Sequence, residues 1–135
     1  MTTIIPFLTN SQIRSLSTIA IASLTTDDIA QLTSVQIKAL SSTQLGSLST
    51  ADISVLTTAQ ASSIAPSAIG GLTLDQLSVL SSWQIDAMSS SQVSALSSSQ
   101  IAALSSQQVA ELSTAQVAAL TASAVSGLTP QDIAT

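Results

Sequence analysis

The sequence predicts an all-α solenoid in which every eight-residue repeat folds into one short, capped helix. Three observations carry that prediction. A large aliphatic residue recurs every eight positions from Leu8 onward without a break in phase. A Ser or Thr follows it in fifteen of the sixteen octads. Gln or Asp stands three residues later in all but three octads.

The octad is labelled a to h, with the aliphatic residue at a. Leucine fills a throughout except at Ile64 and Met88. Position b is Ser or Thr except at Ala65, and c is Ser or Thr in eleven octads. Position e is Gln in ten, Asp in three (Asp28, Asp52, Asp132) and Ala in three. Position f is Ile, Val or Leu in all but one, Ala61, while g and h are mostly small. The chain thus reads as a single repeat domain over residues 1–135. A partial octad, 1–7, precedes sixteen octads, 8–135, with an irregular stretch near 61–77.

One continuous helix does not fit this pattern. Aliphatics spaced three and then five average four residues per turn against the helix's 3.6, so their stripe drifts by about 80° per octad. A regular strand sends a and f, five apart, to opposite faces. A β-solenoid is the remaining alternative, since its coils need not alternate strictly. The four glycines are few for its corners.

A short helix in each octad fits better. Ser or Thr at b with Gln or Asp at e has the capping-box form. The hydroxyl accepts a free N–H of the first turn, and the e side chain reaches back to the backbone of b. Pro66 and Pro130 both fall at c, the first helical position, where a missing N–H costs nothing. The helix is expected to run from c to about the next a, with f and a on one face. A helix this short cannot stand alone. It must bury its aliphatic pair against neighbouring octads, which coils the chain into a superhelix.

Composition narrows the function. Charged residues are 7% of the chain, where about 25% is usual. Arg14 and Lys38 are the only basic residues, too few for nucleic-acid binding. There is no histidine to act as general base and no cysteine for a disulfide or thiolate site. The serines have no base to activate them, and Gly-rich phosphate loops and nucleophile elbows are absent. The separated acids Asp27, Asp28, Asp52, Asp75, Asp86, Glu111 and Asp132 lack metal-loop spacing. At e, capping and the helix dipole account for them. The expectation is a protein that is not an enzyme, with no catalytic, cofactor or metal residues. No apolar run reaches the length of a membrane span, and "MTTIIPFLTN" has no signal-peptide pattern.

Two features are left over. Trp83 stands at the variable d position, where it packs over a neighbouring repeat or makes an outside contact. The stretch "ASSIAPSAIGGLTLDQL" reads as a tolerated irregularity or as a hinge or partner-binding seam.

The stretch "LSTAQVAALT" at 112–121 resembles the LTTAQIAAL-type octads of arrays in large bacterial surface and secreted proteins. The resemblance covers essentially the whole chain. It implies an extracellular structural or adhesive setting and carries over no site residues. Both ends run in phase without a polar capping repeat, so the favoured expectation is head-to-tail self-association into a filament or surface fibre. The alternatives are a passive spacer of a larger adhesin and, from the rows of Ser and Thr, an ice- or crystal-surface binder.

Overall fold

The computed structural model describes residues 4–134. The initial 1–3 of the partial octad and position 135 lie outside the described residues. Within them the chain is a 3₁₀ turn at Ile5–Phe7 followed by sixteen short α-helices, from α1 at Asn10–Ser15 to α16 at Pro130–Ala134. No strand occurs among the described residues, which excludes the β-solenoid.

Local chemistry sets each boundary. Every helix begins one residue after b. The b residue is extended, with ψ near 160° at most caps, and its hydroxyl accepts from the N–H at e. Ala65 has no hydroxyl, and there Pro66 opens α8 (Pro66–Ile69) unaided by a side-chain cap. At the other end the expectation needs a correction. The helices stop by g or h, and the a residue lies outside them; Leu16, for example, is extended at φ −64°, ψ 133°. Its N–H closes a tighter turn onto the f carbonyl, 3.2 Å from Leu16 to Ile13 and 3.1 Å from Leu40 to Ile37. Helices of four to six residues that start at c end at h or earlier, so a falls outside them. The closing turn nevertheless keeps a and f on one side.

Successive helices coil around a filled axis. Each packs on the helix three places along, as α4 (Ser34–Lys38) does on α7 (Thr58–Ser63) and α9 (Leu74–Ser78) on α12 (Ser98–Ala103). Contacts between turns join residues 25 to 31 apart, so one superhelical turn takes between three and four octads. The f side chains lie deepest: Ile29, Ile53, Leu77, Val93 and Ile101 are 0% exposed. The a residues form a second ring, Leu40, Leu48 and Leu96 at 4%. Ala61, the one small f residue, leaves an apolar void of about 10 Å³ beside Ile53, Leu56 and Met88. Through 61–77 the helices α7, α8 and α9 continue in phase. No positive φ and no cis peptide occurs among the described residues.

Candidate functional site

The chemistry of this molecule is concentrated between its turns. Position e organises it. At Gln84, in α10 (Ser82–Asp86), Oε1 accepts from the Ser81 N–H at 2.9 Å, completing the capping box. The same carboxamide turns its Nε2 toward the preceding turn and donates to the carbonyls of Ile53, at 2.7 Å, and Leu56, at 3.0 Å. Those are the f and a carbonyls at the end of a helix. Ile53 already accepts the closing-turn N–H of Leu56, and the amide adds a second donor, while Leu56 lies past the helix end, where carbonyls lack an intrahelical donor.

Nine glutamines make this clasp, to the residues 31 and 28 positions earlier, with all distances between 2.7 and 3.0 Å: Gln36, Gln44, Gln60, Gln76, Gln84, Gln92, Gln100, Gln108 and Gln116. They are 1–8% exposed. A buried amide must satisfy both ends of its dipole. Here the oxygen serves the helix that carries it and the nitrogen serves the turn below. Sequence reasoning found the first role and missed the second. The signal was present, because a capping box accepts Glu as readily as Gln, yet e is never Glu. Only the amide has a donor.

Aspartate at e keeps the box and gives up the clasp. Ser49 donates to Asp52 Oδ2 from its N–H at 3.0 Å and from its hydroxyl at 2.7 Å. Thr129 does the same for Asp132, at 2.8 Å in each case. The Thr129 N–H and hydroxyl, with the hydroxyl of Ser106 from the preceding turn, hold the Asp132 carboxyl below its usual pKa.

Two of the three alanines at e, Ala68 and Ala124, use geometry instead. Ala68 and Ala124 stand where amides would cover the Ile37–Leu40 and Val93–Leu96 carbonyls. Both octads end in glycine at h, Gly71 and Gly127, and no octad with Gln at e does. A Cβ on Gly71 would collide with the Ser42 carbonyl oxygen, and one on Gly127 with that of Ser98. Gly46, at g below, faces Gly71 so closely that its own Cβ would stand 2.5 Å from the Gly71 oxygen. Where the long amide is absent, bare backbone lets the turns close directly.

The remaining candidates separate from this interface. Trp83 is 76% exposed on the outside of α10 and lines a groove instead of packing beneath a neighbouring repeat. Arg14 and Lys38 lie in the last turns of α1 and α4, where a helix dipole favours cations. Among the described residues no group of three or more His, Cys, Asp or Glu could hold a metal. No helix of these residues is long and apolar enough to cross a membrane. The b hydroxyls serve as caps, each accepting the backbone N–H at e.

These features define a class: a structural repeat protein, an all-α solenoid whose eight-residue unit both caps its own helix and joins it to the preceding turn. The chain belongs to the ALTTAQ repeat family, whose model matches residues 29–66, 69–106 and 84–114. No curated protein and no solved structure matches it.

Proposed function

We propose that this protein is a non-enzymatic structural element that self-associates head to tail into a filament or surface fibre. The observation that carries this reading is the polarity of the turn-to-turn interface. One face of each turn presents amide donors and the opposite face presents f and a carbonyls, so the contact is heterologous and propagates. The f and a carbonyls recur in every octad and the amide donor in ten of sixteen, with Gln12 supplying it in the first turn, so a second copy can dock by the contact that joins turns of one chain.

The first and last described turns carry the two halves of that contact. Gln12 is exposed, completes its box with Thr9 and makes no clasp. Val117, Val125 and Ile133, at f, are 49%, 45% and 73% exposed, where the f residues from Ile13 to Ile101 are 3% or less. A further octad of the same polypeptide would cover these groups in the same way. A concentration series by sedimentation and negative-stain microscopy separates the two arrangements. Uniform fibres that lengthen with concentration support self-association. A monomer across the whole range overturns it and assigns the solenoid to a passive spacer. The resemblance to bacterial surface arrays supports an extracellular setting for either arrangement.

A further inference from the structure

We infer that the groove beside Trp83 is a binding site for a neutral saccharide. The groove lies on the outside of the solenoid between α10 and the turn that carries α13 (Ser106–Ala110). Its volume is about 390 Å³, within the range of small-molecule sites. Its chemistry is one indole, one aliphatic residue (Leu80), and otherwise hydroxyls and carboxamides. No charged side chain lines it.

That composition selects a ligand. The electron-rich face of an indole attracts weakly positive C–H groups, which the flat face of a pyranose supplies. The sugar's hydroxyls then need neutral donors and acceptors around the ring. Ser82 and Gln107 supply them, since both side chains point to solvent and make no hydrogen bond within the described residues. Anionic ligands find no cation here, and the aliphatic surface is too small for an apolar partner. A second groove of about 350 Å³, between Val35, Lys38, Ala65 and Pro66, has no aromatic face and carries a charge. Such furrows between turns are general, and the indole distinguishes this one.

The fold does not require Trp83. Helix α10 has the same length and capping box as α11 (Ser90–Ser94), where the d residue is Ser91. A Trp83→Ser variant is therefore expected to keep its far-ultraviolet circular dichroism and its denaturation midpoint. Trp83 is also the sole tryptophan, so its emission reports this groove alone.

The test titrates the full chain with cellotetraose, chitotetraose and maltotetraose, following emission, with calorimetry for Trp83→Ser. The expected result is a saturable emission change with at least one sugar, at a dissociation constant of about 0.1–10 mM. Trp83→Ser should then lose at least about tenfold in affinity, as removal of an aromatic stacking partner does elsewhere. Gln107→Ala should weaken binding several-fold while leaving the reporter in place. No saturable change with any of the three sugars overturns the assignment, as does undiminished binding by Trp83→Ser. A Trp83→Ser variant that binds no sugar differently but fails to self-associate also overturns it, placing the indole in a contact between copies.

Discussion

Residues 72–119 and the octads 64–71 and 120–127 use the same eight-residue frame but join their turns differently. In the first region every e residue is a glutamine whose amide spans the gap to the turn below. In the other two octads e is Ala68 or Ala124, and Gly71 or Gly127 brings backbone against backbone. The helices there are also the shortest, four residues each in α8 and α15 (Ala122–Val125). The frame thus tolerates two solutions to one problem, the carbonyls exposed at each helix end. A long donor can reach them, or a missing side chain can let the next turn close over them. Substitution at e alone or at h alone breaks the arrangement that the pair maintains.

The largest expected effect comes from removing the donor while keeping the cap. Gln84→Glu leaves a good capping-box residue at e but sets a carboxylate against the Ile53 and Leu56 carbonyls in a buried site. The cost should be about 3–5 kcal/mol at neutral pH, the scale of an uncompensated buried charge. Burial and the facing carbonyls raise the folded-state pKa of the new acid. Its stabilising neutral form is then fully present below the unfolded value, and stability falls as pH rises through the folded one. Urea unfolding at pH 4 and pH 7 checks both magnitude and sign. If the clasp is incidental, Gln84→Glu will be neutral at both.

The converse disturbance acts on the close-packed octads. Gly71→Ala should cost about 1–3 kcal/mol, because its Cβ meets the backbone of Ser42, which cannot swing aside. Its neighbour is the internal control. A Cβ on Gly70 meets nothing within 4 Å at φ −60°, so Gly70→Ala should be neutral or stabilising by about 0.4–1 kcal/mol. Thermal denaturation of the two variants side by side would show whether contact or backbone freedom governs this stretch.

Removing a cap acts on one helix only. Ser97 Oγ accepts from the Gln100 N–H at 3.2 Å, and Ser97→Ala should cost about 0.5–2 kcal/mol. The loss should be smaller than that of Gln84→Glu, since Gln100 keeps its clasp to Ile69 and Leu72. A scan to strongly acidic pH gives the most local effect. The folded pKa of Asp132 lies below its ordinary value of 3.8, so its contribution is complete above that value. It is lost as pH falls through the folded pKa. Amide exchange in α16 should quicken there while α10 stays protected.

Most of this fold could be read from the sequence because its signals are local. Period, cap and box act within four residues, and Pro66 and Pro130 marked the helix starts independently. The end of each helix was placed too late, because spacing alone does not distinguish a helical a residue from one held by a closing turn. The clasp was missed for a different reason. Its partners lie 28 and 31 residues away, and the number of octads per turn follows from packing, not from any one octad. The Ala–Gly pairing was visible only as an irregularity near 61–77. It became intelligible once Gly71 was seen against Ser42.

The central claim is that the e amides join the turns. Hydrogen exchange of the glutamine side-chain amides, resolved by ¹⁵N nuclear magnetic resonance, tests it most directly. The account predicts strong protection for the clasping residues, such as Gln76, Gln84, Gln92 and Gln100. Exposed Gln12, Gln107 and Gln131 should exchange at the rate of free amides. Equal, rapid exchange across both groups would contradict it, leaving the capping box as the only role of position e.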